Sequence, residues 1–254
     1  MTPAAPVCAL VLAGSRPGAP DPVAAAEGTS HKALVDVAGR PMLARVVSAL
    51  REAGIARIAV VANDPAVTGM AMALDCEVLA AEAGPSASVA AGLAHFGTPM
   101  LVTTADHALL KPQWVRDFIA DTPEDAEVAI LLARREAIEA AMPGSRRTWL
   151  RLADGDWSGC NLFLLAGGNA GAAIETWKSV EADRKRPWRI AAKLGPGILV
   201  RFLLRRLTMA EAIARLGDRI AVRARLVAAR DGLAAVDVDK PSDLADARQI
   251  LARG

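Results

Sequence analysis

The sequence predicts an α/β fold built on a largely parallel sheet, and three observations carry that prediction. Continuous apolar runs at 7–12, 57–62 and 100–104 have the length and composition of strands buried on both faces. Stretches with helical apolar spacing at 42–53 and 86–96 alternate with those runs, as βαβ connections require. Punctuation agrees with the periodicity, since Pro41 stands where the first of these helices starts and Gly54 where it stops.

The second half continues with an apolar strand at 126–133. Segments 148–153 and 157–165, separated by Asp154-Gly155-Asp156, have the signature of a hairpin, so the sheet becomes mixed there. From 168 to 216 the pattern is mostly helical. Strands are expected at 219–227 and 234–239, and a closing helix at 242–252. No internal repeat is present.

Composition sets bounds on domain count and partners. A chain of 254 residues, 53% hydrophobic, can bury a substantial core without metal or disulfide staples, and one domain over 1–254 is the expectation. Its 30 basic and 28 acidic residues leave a formal charge of +2, so no global field points to nucleic acid. Stacking aromatics are also scarce, with no Tyr, four Phe and five Trp. Cys8, Cys76 and Cys160 are few and widely spaced, without the pattern of a zinc site or disulfide framework, which fits a reducing compartment. The N-terminal apolar run lacks a basic region before it. No stretch of about 20 uncharged apolar residues occurs, so a cytoplasmic location is expected.

Candidate chemistry gathers where predicted strands end. The first strand runs into Leu12-Ala13-Gly14-Ser15-Arg16, a small turn whose amides can meet a phosphate, with Arg16 as a forked cation and Lys32 following after a long loop. The strand at 100–104 runs into Asp106. A single strand-end carboxylate suits Mg²⁺, which keeps several waters and takes only one or two protein carboxylates; capping of the local turn is the alternative. The run Val236-Asp237-Val238-Asp239 supplies a second ligand. Alternation puts Asp237 and Asp239 on one face, with Asp239 preferred and Asp237 in reserve. Asp243 is explained by stabilisation of the first helical turn. His31, His95 and His107 require no acid–base role.

Taken together these segments resemble the MobA-like nucleotidyltransferases of the GT-A-like fold. The resemblance spans nearly the whole chain and rests on Leu12-Ala13-Gly14, on Lys32-Ala33-Leu34 with Ala38-Gly39-Arg40-Pro41-Met42-Leu43, and on Ser86-Ala87-Ser88-Val89-Ala90-Ala91-Gly92-Leu93. Asp106, Gly159-Cys160-Asn161 and Asp239-Lys240-Pro241-Ser242-Asp243-Leu244 complete it. It implies a three-layer, Rossmann-like, mainly parallel mixed sheet flanked by helices. It further implies NMP transfer from an NTP to a phosphorylated acceptor with release of pyrophosphate. Leu12, Ala13, Gly14, Ser15, Lys32 and Ser88 would bind the nucleotide, Lys32, Arg16 and Asp106 would serve the chemistry, and Asp106 and Asp239 would hold Mg²⁺. Asn161 would contact the acceptor. Ser88 as a small residue in a packed helix and Asn161 as a turn former are equally open readings.

The chain also departs from the family pattern. Ser15-Arg16-Pro17-Gly18 replaces a loop with a further Gly and an Arg-Met-Gly ending, and 19–30 is longer than usual, with Ala24-Ala25-Ala26 inside a stretch expected to form a lid. Two other functions share the fold or the ligand: a glycosyltransferase using Asp237-Val238-Asp239 as its metal motif, and a non-catalytic nucleotide-binding module.

Residues 169–216 are expected to form a helical, basic acceptor, lid or interface region, with its charge concentrated at 184–206. Arg184, Lys185, Arg186, Arg189, Lys193, Arg201, Arg205 and Arg206 interleave there with Ile198-Leu199-Val200 and Phe202-Leu203-Leu204. Three roles are open: contact with a phosphorylated small-molecule or lipid-like acceptor, peripheral contact with the inner face of a membrane, and an amphipathic helix covering the sheet or a homodimer interface.

Overall fold

The computed structural model describes residues 8–15, 18, 21–145, 147–183, 188 and 196–253. Arg16 lies outside them, as do Arg184–Arg186, Arg189 and Lys193 of the basic region. The chain divides into two compact units, one from the described residues of Ala5–Asp117 and Val236–Gly254, the other from Phe118–Ala235. Strand pairing in the two is mixed and mainly parallel, and helices pack on the strands, the predicted class.

The first unit begins with β1 (Cys8–Ala13), α1 (Pro22–Ala26) and a 3₁₀ turn, Lys32–Leu34. There follow the short pair β2 (Asp36–Val37) and β3 (Arg40–Pro41), α2 (Met42–Glu52), β4 (Arg57–Ala62), α3 (Pro65–Ala73) and β5 (Glu77–Ala80). Then come α4 (Pro85–Phe96), β6 (Met100–Thr104) and α5 (Pro112–Asp121), which carries the chain into the second unit.

Strands β6, β1, β4 and β5 lie side by side in that order, all parallel. Ala9, Leu10 and Val11 on β1 are fully buried, as expected of a central strand covered on both faces. Because the strands are parallel, their C-terminal ends share one edge. Ala13 pairs with Ala62, Ala62 with Ala80, and Leu12 with Thr104. The turn after β1, Asn63, Ala81 and Asp106 therefore stand in a row, where an open α/β sheet binds ligands.

The second unit holds β7 (Val128–Arg134), α6 (Arg135–Ala141), β8 (Leu150–Leu152), β9 (Gly155–Leu165), α7 (Ala170–Asp183), α8 (Pro196–Leu203), α9 (Met209–Asp218) and β10 (Ala224–Ala228). The β8–β9 hairpin is antiparallel, as predicted, and β7 pairs with β9 antiparallel and β10 parallel. Trp157, Leu132, Met209, Ile213 and Ala224 form its core cluster.

Two strand expectations change. The strand at 219–227 contracts to Ala224–Ala228, because Ile220 and Val222 donate to Gly217 O and close the end of α9, with Ala221 at φ 54°. The strand at 234–239 is replaced by a 3₁₀ turn, Gly232–Ala235, and an irregular segment that returns the chain to the first unit before α10 (Pro241–Ala252). Val236 and Val238 are buried as alternation requires, and the Val238 N–H goes to Asp106 O at 3.0 Å.

The loop carrying Lys32 is ordered from several sides. Its predicted lid stretch contains α1, whose amides at Val23 and Ala24 donate to the Asp21 carboxylate. Arg248 on α10 forks onto Glu27, at 3.0 and 2.7 Å, and donates to Asp36 O, so one guanidinium holds both flanks of the 3₁₀ turn. Within the turn His31 is buried, and its Nδ1 accepts the Ala33 N–H at 3.0 Å. Burial pushes the His31 pKa down, with Lys32 assisting and Asp64 opposing.

Helix α4 packs on β1 through a glycine. A Cβ on Gly92 would lie 2.5 Å from Leu10 Cδ2 and 2.9 Å from Cδ1, and Leu10 is itself fully enclosed. Gly92→Ala is thus expected to cost about 1–3 kcal/mol by overpacking. Gly69→Ala on α3, where nothing lies within 4 Å, is expected to be neutral or stabilising. Thermal unfolding of the two variants checks the contrast, and equal melting temperatures would refute the packing account.

His31 gives a pH prediction. Its folded pKa lies below the ordinary 6.5, so on acidification the unfolded chain takes up the proton first. The contribution is fully present above 6.5 and is lost as pH falls below it towards the folded value. Melting temperatures measured between about pH 7.5 and 5.5 should decline on the acid side, and less steeply in His31→Asn, whose amide oxygen can keep the Ala33 contact. Identical slopes would sink the assignment.

Candidate active site

Three of the residues singled out in the sequence converge on one ammonium group. Lys32 Nζ lies 2.6 Å from Asp106 Oδ2 and 3.2 Å from Asp239 Oδ1, and it also points at Val238 O, 3.5 Å away. Burial alone would lower the Lys32 pKa, but the Asp106 and Asp239 carboxylates outweigh it and push it well up, so the group stays charged at any working pH. Both carboxylate oxygens are within about 6 Å of one another because both touch the same nitrogen.

Each partner is fixed by its own backbone context. Asp106 follows β6, and Ala105 N–H continues the ladder to Leu12 O at 2.9 Å. The Thr104 hydroxyl donates to Asp106 Oδ1, leaving Oδ2 for Lys32. Asp239 precedes α10, and the Asp243 carboxylate accepts the N–H groups of Asp239 and Lys240 at 3.1 and 3.0 Å. Asp243 therefore does more than favour the helix dipole: it sets the backbone from which Asp239 projects.

The turn after β1 is exposed at Gly14 and Ser15 and clamped by Asn63, which follows β4. Asn63 Oδ1 accepts from Ser15 N and Oγ at 3.1 and 3.0 Å, and its Nδ2 donates to Ser15 O at 3.3 Å. A Cβ on Gly14 would stand 3.1 Å from that of Ala81, so a side chain there would need Ala81 to give by a few tenths of an ångström. Ser88 is buried on α4, and its Oγ accepts the Glu82 N–H at 3.0 Å, which ties the loop after β5 to the helix. Sequence reasoning had not singled out Asn63; a polar residue directly after an apolar strand was the available signal.

The remaining predicted residues stand apart from this cluster in kind. Asn161 belongs to the second unit, on β9, with φ 49° where the register with β7 shifts between Ile130 and Leu132. Asn tolerates this left-handed conformation, and bulges re-aim side chains, so both readings of Asn161 retain a physical basis. His107 is buried and stacks on Trp114, with ring centroids 6.1 Å apart.

The donor chemistry fits a hard cation. Two carboxylates that already share one positive charge are oxygen donors of the number Mg²⁺ takes from proteins. Among the described residues no group of three or more His, Cys, Asp or Glu side chains could hold a metal, so a dedicated protein cage is absent there.

Comparison with known proteins identifies the family. The model of the MobA-like NTP transferase domain matches residues 9–196. Among solved structures, a hypothetical transferase from Thermus thermophilus is 33% identical with a TM-score of 0.78, covering 93% of this chain and 98% of that one. A nucleotidyl transferase from Methanothermobacter thermautotrophicus (22% identity, TM-score 0.59, 97% of each chain) shares the fold. So does a CMP:2-keto-3-deoxy-manno-octonic acid synthetase solved with CTP (18% identity, TM-score 0.57, 97% of this chain and 98% of that one). No curated protein matches the sequence. With nearly three-quarters of its length inside the family model, the chain belongs to the MobA-like NTP transferases and is a nucleotidyltransferase.

Proposed function

We propose that the protein transfers NMP from an NTP to a phosphorylated small-molecule or lipid-like acceptor and releases pyrophosphate. An acceptor phosphate oxygen attacks the α-phosphorus in line, the bond to the bridging oxygen breaks, and its electron pair leaves with pyrophosphate. No protein nucleophile is needed. The work of the chain is positioning and charge compensation. The observation that carries this reading is the ammonium of Lys32 shared by two carboxylates at the ligand-binding edge of a parallel sheet.

In this reading the amides of Leu12, Ala13, Gly14 and Ser15 receive the nucleotide phosphates, Asn63 keeps that turn in shape, and Lys32 and Arg16 supply cations. Ser88 holds the loop after β5 and offers its hydroxyl proton to the nucleoside. Asn161 meets the acceptor, and the two units act as one catalytic domain. Asp106 and Asp239 hold Mg²⁺, which when bound neutralises phosphate charge and offsets charge on the pentavalent transition state. With such an ion on the two carboxylates, the Lys32 ammonium would be the group available to phosphate oxygens.

The test uses the full chain with each of the four NTPs, Mg²⁺ and phosphorylated acceptors, read by pyrophosphate release. Lys32→Ala and Asp106→Asn are each expected to lower turnover by at least about 10²-fold while circular dichroism shows the fold intact. Turnover unchanged in Asp106→Asn would overturn the metal assignment. A second readout is independent of turnover. Removing the ammonium leaves Asp106 and Asp239 repelling one another, so Mg²⁺ alone should raise the melting temperature of Lys32→Ala more than that of the wild type.

A further inference from the structure

Helix α8 and the turn after it present an apolar stripe that the protein leaves uncovered. Val200, Leu203 and Leu204 are 52%, 65% and 59% exposed, and their spacing puts them on one face. Arg205 and Arg206, both exposed, follow at once. The helix closes with Arg206 N–H on Arg201 O at 2.7 Å and Arg205 N–H on Phe202 O at 3.0 Å, a Schellman ending. Arg205 occupies its left-handed position at φ 52°, where glycine is the usual residue. Arg201 is tied back to Glu211 at 2.7 Å, which anchors this end of α8 to α9. Two guanidiniums are thus held beside two exposed leucines by backbone geometry and not by a flexible tail.

We propose that this face, residues 196–206, docks on an anionic lipid bilayer, with Val200, Leu203 and Leu204 entering the interfacial layer and Arg205 and Arg206 meeting lipid phosphates. This goes beyond nucleotidyl transfer and does not depend on it. Charge complementarity selects the occupant. From 184 to 206 the sequence has eight basic and no acidic residues. A second copy of the chain would bring Arg against Arg, and the preceding segment, basic itself, cannot neutralise the face. A bilayer with anionic headgroups supplies both the apolar layer and the opposite charge. No helix among the described residues is long and apolar enough to cross a membrane, so the contact is one of lying on the surface.

The experiment is flotation of the full-length protein with vesicles of phosphatidylcholine alone or with about one-third phosphatidylglycerol. Wild type should bind the anionic vesicles at least about tenfold more than the neutral ones, and lose binding as salt shortens the Debye length. Leu203→Asp/Leu204→Asp and Arg205→Gln/Arg206→Gln should each weaken binding by about tenfold or more without altering pyrophosphate release from soluble substrates. The two double variants change different chemistry at exposed positions, so a folding defect in one leaves the other informative. Equal wild-type binding to both vesicle types would overturn the proposal. So would undiminished binding by both variants, or a wild-type dimer in light scattering that Leu203→Asp/Leu204→Asp abolishes, since a second copy would then be the occupant.

Discussion

A single ammonium held between two carboxylates is the interaction on which the first unit depends. Lys32 and Asp239 are 207 residues apart, and Asp106 comes from a third segment, so this contact ties the two ends of the unit to its middle. Two of its members, Lys32 and Asp106, would be unfavourable alone. A largely enclosed lysine loses solvation, and Asp106, with 13% of its side chain exposed, would be a poorly solvated anion. Paired, they become a polar centre whose charge is balanced and whose position is fixed from several sides. Asp243 fixes the Asp239 backbone, Thr104 orients Asp106, and His31 with Arg248 shapes the loop that delivers Lys32.

The return of the chain after residue 235 is therefore part of the site and not an appendage to the fold. Val236 and Val238 are buried, Val238 N–H bonds to Asp106 O, and three residues later α10 begins. That helix then contributes Arg248, which grips Glu27 and Asp36 on either side of the lysine turn. One short segment thus supplies a carboxylate, the backbone that steadies the opposing carboxylate, and the clamp on the cation's loop. Parallel pairing is what makes this economical, because β6, β1, β4 and β5 all deliver their C-terminal ends to the same edge.

Much of this was legible in the sequence because the elements concerned are long or sharply punctuated. Strand β6 and helices α2, α4 and α10 were evident from unbroken apolar runs, helical periodicity, and Pro or Gly at their ends. Lys32, Asp106 and Asp239 were found because charged residues directly after buried strands, or alone within a loop, are conspicuous. The misses have a common cause. Strand β5 has four residues and shows no period, α1 has five, and 234–239 alternates like a strand while having no ladder partner, its amides being spent on Asp106 and the turn. Asn63 acts through hydrogen bonds to a residue 48 positions away, which no local pattern encodes. Ser88 and Asp243 were visible as residues, but the backbone groups they serve were not.

The distribution of charge along the sequence is uneven in a way that its net charge conceals. Outside 184–206 the chain has 22 basic and 28 acidic residues, so a formal total of +2 is the sum of a basic segment and an acidic remainder. Within the acidic remainder, the ammonium of Lys32 is committed to Asp106 and Asp239. In the second unit, Arg205 and Arg206 stand exposed beside uncovered leucines. An anionic surface would attract that face of the second unit before any contact forms. The same electrostatic rule thus operates at both places with opposite outcomes: cation and carboxylate are satisfied internally where chemistry needs a fixed site, and left unsatisfied where a partner must be recruited.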